Sequence, residues 1–487
     1  MPISHDVPPR PHRSRPERGT FPFLPFPLLS VMLLALAFLS GLGEAGLAES
    51  PGSRPDLLRG FVPVVKRAAP AVVSIYTRKV VAERFSPFAN DPFFGQLFGG
   101  GPVIPRVQQA LGSGVVVDAK AGLVVSNWHV VGEADQIRVV LADRREFDAR
   151  IVLGDPEIDL AVLRLEGGSG LTELPLRDSD TVEVGELVLA IGNPFGVGQT
   201  VSSGIVSGLA RSGAAAGNLR GYFIQTDAPI NPGNSGGALV DAAGRLIGIN
   251  TAILTRSGGS NGIGFAIPSN LVRVFVAAAR HGDRQFVRPW AGMLAQAVDQ
   301  SLADGLGLPR PEGVLVTRLH PQSPFGAAGI RPGDVIIRFD GHAVDAPAEL
   351  LFRMTLAEKG RRVPVVWLHD GRRMEGRVRM VPPPDTPPAN PVRVPRGWPL
   401  AGLSAATVNP KMIASLDLPI DAAGVVVTDP GPMGARIGLR RGDIVRAVNG
   451  REISSSRELL HVLTRRERFW EFVVERGGRR LIIRARL

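Results

Sequence analysis

A repeat near the C-terminus limits the fold of this chain more than any other feature. The run Ala328-Gly-Ile-Arg-Pro-Gly-Asp-Val-Ile-Ile-Arg-Phe-Asp-Gly returns as Ile437-Gly-Leu-Arg-Arg-Gly-Asp-Ile-Val-Arg-Ala-Val-Asn-Gly. Gly329, Gly333, Asp334, Gly341, Glu349 and Leu350 align with Gly438, Gly442, Asp443, Gly450, Glu458 and Leu459 at one constant offset. Chance similarity does not hold a single register over positions so widely spread, so the C-terminal part is two copies of one small domain. Between them runs Pro382-Pro-Pro-Asp-Thr-Pro-Pro-Ala-Asn-Pro, whose composition predicts a semi-rigid spacer. A chain of 487 residues then needs a further, larger core ahead of the repeats.

That larger domain is predicted to be β-rich. From Phe61 to about Ser269, short apolar runs such as Gly114-Val-Val-Val-Asp, Gly122-Leu-Val-Val-Ser and Arg245-Leu-Ile-Gly-Ile alternate with Gly, Asp and Asn turns. This spacing predicts an all-β barrel or sandwich. Residues 269–281 predict a capped amphipathic helix that closes the domain. The expected layout is a signal over 1–48, a flexible N-terminus over 49–60 and a main domain over 61–283. The two repeats occupy 287–381 and 398–487, with the linker at 382–397. A Phe-, Gly- and Pro-rich insert, residues 83–102, is predicted to be a long loop with exposed aromatics.

The N-terminus carries a basic region with Arg10, Arg13, Arg15 and Arg18, then an apolar stretch over Leu28 to Leu39, then Ala45-Gly-Leu-Ala48. This is an export-signal pattern, with cleavage expected after the small residues. Uncleaved, the segment would be an anchor, because Phe21 to Leu42 is just long enough to span a bilayer. The chain has no cysteine, which excludes disulfides, thiolate metal sites and a cysteine nucleophile. Its formal net charge of +11 is almost entirely arginine spread along the chain. No basic stripe with interleaved aromatics is present, so nucleic acid is not an expected partner. A solvated basic surface with weak attraction to anionic membranes is expected instead. No metal or cofactor is expected.

The chemistry is concentrated in Asn231-Pro-Gly-Asn-Ser235-Gly-Gly-Ala-Leu. A serine flanked by glycines can turn backbone N–H groups toward a point beside its hydroxyl. That supplies a nucleophile and an oxyanion hole from one segment, here Gly233, Asn234 and Ser235. Gly-x-Ser-x-Gly also fits α/β-hydrolases, but those need a helix after the serine, with acid and histidine downstream. The sequence that follows here predicts strand, turn and strand, and the downstream histidines lie in the closing helix or beyond. Upstream, His129 ends an apolar strand and is the only histidine between the export signal and the closing helix. Asp159 precedes the buried-looking run Leu-Ala-Val-Leu, with Asp155 a competing acid. The order His, Asp, Ser matches chymotrypsin-like proteases, in which the acid fixes the imidazole tautomer and the imidazole moves the serine proton.

Five segments carry a family resemblance: Ser126-Asn-Trp-His-Val-Val, Asp159-Leu-Ala-Val-Leu, Ala190-Ile-Gly-Asn-Pro-Phe-Gly, Thr226 to Leu239, and Gly262-Ile-Gly-Phe-Ala-Ile-Pro. Together they resemble the HtrA/Deg serine endoproteases, most closely the Do-like periplasmic subgroup with two PDZ domains. The resemblance implies a mainly β fold: a chymotrypsin-like double β-barrel protease domain followed by two α+β PDZ domains. It implies a triad of His129, Asp159 and Ser235, and an S1 wall of Ile230, Ile253 and Leu254 that favours small or medium aliphatic side chains. It further implies ATP-independent cleavage of misfolded envelope proteins in the periplasm, by homotrimers or larger assemblies. The Phe-rich insert would be a regulatory loop. In PDZ domains a glycine-containing loop receives a peptide C-terminus. The candidate loops are Ala291, Gly292 and Met293 in the first copy and Ala401, Gly402 and Leu403 in the second. Two alternatives stay open: a chaperone or PDZ scaffold with a dormant site, and a membrane-anchored stress-signalling protease.

Overall fold

The computed structural model describes residues 60–84, 103–193, 198–211, 221–231, 233–253, 262–465 and 467–486. The export-signal region, Leu254 and residues 85–102 of the Phe-rich insert lie outside them. Among the described residues no helix is long and apolar enough to cross a membrane.

Two closed antiparallel barrels form the main domain. The first contains β1 (Val72–Arg84), β2 (Val103–Asp118), β3 (Leu123–Ser126), β4 (Gln136–Val140), β5 (Glu146–Asp155) and β6 (Leu160–Leu165), in the order β1-β2-β3-β6-β5-β4. The second contains β7 (Leu187–Gly192), β8 (Thr200–Arg211), β9 (Phe223–Thr226), β10 (Ala238–Asp241), β11 (Leu246–Ile253) and β12 (Gly264–Pro268), in the order β10-β11-β12-β9-β8-β7. The predicted β-rich domain is thus a pair of barrels, and closure leaves no edge to cap. The runs singled out in the sequence are buried strands. Leu123 to Ser126 and Ala238 to Asp241 are buried at every position. Val124 and Leu239 fill the barrel interiors, while Leu123, Val125, Ala238 and Val240 face the other way. A third cluster, with Val115, Leu160, Ile191, Phe265 and Phe275, lies between the barrels and joins them.

The closing helix α1 (Ser269–His281) contributes Leu271, Val272, Phe275, Val276 and Ala279 to that joint. This is the one-sided spacing of an amphipathic helix. It ends at Gly282, whose N–H reaches back to the carbonyls of Ala278 and Ala279. Its first serine does not cap it. Ser269 Oγ donates instead to the Arg177 carbonyl at 2.5 Å, tying the helix start to the second barrel.

The repeats have one sheet topology. The first has β13 (Met293–Ala297), β14 (Val314–Leu319), β15 (Val335–Phe339), β16 (His342–Ala343), helix α2 (Pro347–Leu356), β17 (Arg362–His369) and β18 (Arg372–Arg379). The second has β19 (Val392–Arg393), β20 (Ser404–Thr407), β21 (Val425–Asp429), β22 (Ile444–Val448), β23 (Arg451–Glu452), helix α3 (Ser456–Leu463), β24 (Phe469–Arg476) and β25 (Arg479–Arg486). The recurring aspartate has a structural role. Asp334 accepts from Arg331 N at 2.9 Å and Asp443 from Arg440 N at 2.8 Å, so each buried carboxylate closes the turn before a central strand.

The proline-rich stretch differs from the expected spacer. Lys411 N donates to the Pro384 carbonyl, Asn409 Nδ2 donates to Asp385, and Val392–Arg393 enter the second sheet as β19. Proline lacks an N–H, but Val392, Arg393 and Val394 keep theirs, and those are the residues that reach the sheet.

The first repeat is docked on the barrels. Phe352 on α2 stacks on Tyr222 with ring centroids 4.2 Å apart, and Arg353 pairs with Asp180 at 2.7 Å. Arg288 pairs with Asp155 at 2.6 Å and Glu157 at 2.5 Å. Phe352→Ala is expected to cost about 3 kcal/mol, the lower end for removing a buried aromatic ring. Denaturant unfolding should show it, with the first repeat melting apart from the barrels.

Candidate active site

Asp159 organises the site. It follows β5 and precedes β6 in a left-handed backbone conformation, φ 61°, and is 5% exposed. Asparagine and aspartate tolerate that conformation better than other non-glycine residues. Here three contacts fix it: its carbonyl accepts from Asn127 Nδ2 at 2.9 Å and from Trp128 N at 3.2 Å, and its carboxylate accepts from His129 N at 2.9 Å. His129 Nδ1 lies 2.8 Å from Asp159 Oδ2, while half of the histidine side chain remains exposed. The competing acid, Asp155, is turned away to Arg288. Next to His129, the Trp128 ring packs over Gly132 and Gly154. A Cβ at either position would lie within 2.4 Å of the indole.

The serine segment comes from the second barrel. Gly236 has φ 83°, and a Cβ there would sit 2.1 Å from the Ser113 carbonyl, so only glycine fits. Three bonds strap the loop to the first barrel and to β11. Ser113 N donates to Ser235 O at 2.9 Å, Ser113 Oγ donates to Gly233 O at 2.5 Å, and Gly236 N donates to Asn250 O at 2.8 Å. Gly233 N and Ser235 N have no acceptor among the described residues. Asn234 corrects the expectation for the oxyanion hole: its N–H is committed to the Asn231 carbonyl at 2.9 Å, so it is not a free donor.

Thr251, on β11, joins the two halves. Its Oγ1 donates to Asp159 Oδ2 at 2.5 Å, and its carbonyl accepts from Ser235 Oγ at 3.3 Å. Among the described residues no hydrogen bond joins Ser235 Oγ to His129, so the serine hydroxyl is turned to Thr251. Sequence reasoning missed Thr251 because nothing local marks it. Only the meeting of the two barrels brings Gly248-Ile-Asn-Thr251 to the acid.

Ile230 is buried in the core of the second barrel, its side chain against Gly264, which also pairs with Ile253 on β11. Leu254 and the side chain of Ile253 are outside the description.

The two glycine loops of the repeats differ. In the first, the Ala291 carbonyl accepts from Ser323 Oγ at 2.7 Å and the Gly292 carbonyl from His320 N at 2.8 Å. The Ala291 and Gly292 amides have no acceptor among the described residues, and Met293 opens β13. In the second, all three amides are taken: Ala401 N by Trp398 O, Gly402 N by Val394 O, and Leu403 N by Leu400 O.

Comparison with known proteins places the chain among proteases. A trypsin-like peptidase domain family matches residues 112–249, and a PDZ domain family matches residues 291–380. The periplasmic pH-dependent serine endoprotease DegQ of Escherichia coli is 35% identical, over 93% of this chain and 97% of its own length. The periplasmic serine endoprotease DegP of Escherichia coli is 34% identical, over 92% and 97%. A solved structure of the HtrA-type protease AlgW with a decapeptide is 41% identical, covers 66% of this chain and 99% of its own, and superposes with a TM-score of 0.50.

Burial beside the first glycine loop lowers the His320 pKa below its usual value. Its Nδ1 accepts from Gln322 N at 3.1 Å, and its ring meets Trp290 edge-on at 5.1 Å, so the fold holds the neutral imidazole. The unfolded chain binds this proton more readily. The contribution to stability is therefore complete above about pH 6.5 and is lost as pH falls below it. Acidification from pH 7.5 to 5.5 is expected to lower the melting temperature of the wild type more than that of His320→Gln, measured by calorimetry.

Proposed function

This chain belongs to the HtrA/Deg family of serine endoproteases, and we propose that His129, Asp159 and Ser235 are its catalytic triad. The observation that carries this reading is the double contact of Thr251, which links the acid to the serine segment. Asp159 accepts the hydrogen bond of His129 Nδ1–H and so fixes that tautomer, leaving Nε2 to accept the Ser235 hydroxyl proton as Oγ attacks a peptide carbonyl. Gly233 N and Ser235 N then hold the oxyanion, at about 3 kcal/mol for each donor lost. His129 returns the proton to the leaving amine. Water, giving its proton to His129, then attacks the acyl-enzyme carbonyl. The acyl–Oγ bond breaks, and the proton returns to Ser235 Oγ as the acid product leaves. Ile230 packs against Gly264, which pairs with Ile253, and an S1 wall of Ile230, Ile253 and Leu254 would favour small or medium aliphatic side chains.

Because Ser235 Oγ is turned toward Thr251, the arrangement supports a resting enzyme. Activation requires the hydroxyl to swing to His129 Nε2. The first repeat, with free amides at Ala291 and Gly292, is the carboxylate-capturing module that concentrates substrate or activator. DegQ and DegP are named periplasmic, and with the export-signal pattern this supports a periplasmic enzyme acting on misfolded proteins. Homotrimers or larger assemblies complete the same reading. A chaperone with a dormant site is the second reading, favoured by the disengaged serine.

Ser235→Ala separates the two. Degradation of unfolded casein under heat or with an activating peptide is expected to fall by about a millionfold. Equal clearance by both proteins, or none by the wild type, would overturn the protease reading. Thr251→Val keeps the shape of the side chain and removes one charge-assisted hydrogen bond, about 1.5–3 kcal/mol. The expected result is a kcat about 10- to 100-fold lower with KM little changed.

A further inference from the structure

The two repeats share a topology but differ at one edge. In the first, β13 is the outermost strand and α2 packs beside it. In the second, the equivalent strand β20 carries β19 on that edge, and α3 packs against both. β19 therefore fills the slot between edge strand and helix. When a sheet accepts a peptide by strand addition, this slot holds it.

The chain fills the slot as a peptide would. Thr407 N donates to Ala389 O at 2.7 Å, Val392 faces Ala405 and Arg393 faces Ser404 in antiparallel register, and Val394 N donates to Leu403 O at 2.8 Å. At the far end, Ser456 Oγ at the start of α3 donates to Asn390 O at 2.5 Å. The segment runs toward the glycine loop, where Gly402 N donates to the Val394 carbonyl at 3.0 Å. That carbonyl occupies the place of a carboxylate oxygen. The Val394 side chain, 3% exposed, is buried with Leu400, Leu403, Leu459 and Val462, the last two from α3. Pro395 follows, and with no N–H it cannot extend the ladder.

We propose that the groove of the second repeat is a strand-binding site whose resident ligand is the chain's own segment Ala389–Val394, with Val394 standing in for a C-terminal apolar residue. The matching free ligand is an extended peptide ending in an aliphatic residue with its carboxylate. A short tether presents the internal segment at about millimolar effective concentration, so a free peptide of micromolar intrinsic affinity is disfavoured about a thousandfold. The inference concerns the second repeat alone and stands independently of the triad and of what the first loop binds.

The test uses the full chain and the labelled hexapeptide Ala-Asn-Pro-Val-Arg-Val with a free carboxylate. In hydrogen exchange the wild-type amides of Val394, Gly402 and Thr407 are expected to be protected, and the peptide adds no protection over residues 400–407. In Val394→Asp and Val394→Gly, protection of 389–394 is lost, and the peptide binds at 400–407 at least tenfold more tightly than in the wild type. Protection of β24 reports that the repeat stays folded. The proposal is overturned if those wild-type amides exchange freely, or if the peptide protects 400–407 of the wild type as well as of the variants. It is also overturned if a folded variant gains no binding. Should both variants lose β24, the wild-type exchange pattern decides alone.

Discussion

The hydrogen bond from Thr251 Oγ1 to Asp159 Oδ2 is the contact on which the rest of the site depends. Asp159 belongs to the first barrel and Thr251 to the second, so the bond crosses the joint between them. A carboxylate this deeply buried is costly unless its lone pairs are used. Here the His129 backbone, the His129 ring and Thr251 use them. The same threonine holds the Ser235 hydroxyl through its carbonyl. Relative motion of the barrels would therefore disturb Asp159, His129 and Ser235 together, and the apolar joint of Leu160, Ile191, Phe265 and Phe275 resists that motion.

Much of this was legible in the sequence. A β-rich barrel or sandwich followed from short apolar runs punctuated by turn residues, the pair of barrels from the family resemblance, and the histidine and serine from motifs with few competitors. The sequence favours Asp159 over Asp155 because a buried-looking run follows it and because the family motif includes it. What was not legible is the partner of Asp155: Arg288, far along the chain, pairs with it. Thr251 was invisible for the same reason: its role arises from where two barrels meet, not from its neighbours. Asn234 was expected to offer its N–H, but a turn bond to Asn231 consumes it. Proline content hid β19, because composition averages over a stretch in which three consecutive residues retain donors.

The repeats show how one sequence pattern serves two ends. Gly333-Asp334 and Gly442-Asp443 close the same turn, yet the partners of the two aspartates differ. Asp334 meets His369 at 2.6 Å, and Asp443 meets Arg476 at 2.6 Å. The first copy leans on the barrels through Phe352, Arg353 and Arg288 and keeps its loop amides free. The second is held by its own linker, which satisfies the Gly402 amide through Val394 and fills its edge. Among the described residues, the first copy reaches the segment leading into Asp159 through Arg288 and the pair Asp155 and Glu157.

In the proposed mechanism Ser235 is the nucleophile, held at rest away from its base. Reaction of the full-length protein with a serine-directed fluorophosphonate, followed by mass spectrometry, tests it most directly. The account requires the covalent adduct on Ser235 alone, slow at rest and faster with an activating peptide or heat. An adduct on another serine, or no adduct at Ser235 under activating conditions, would contradict it.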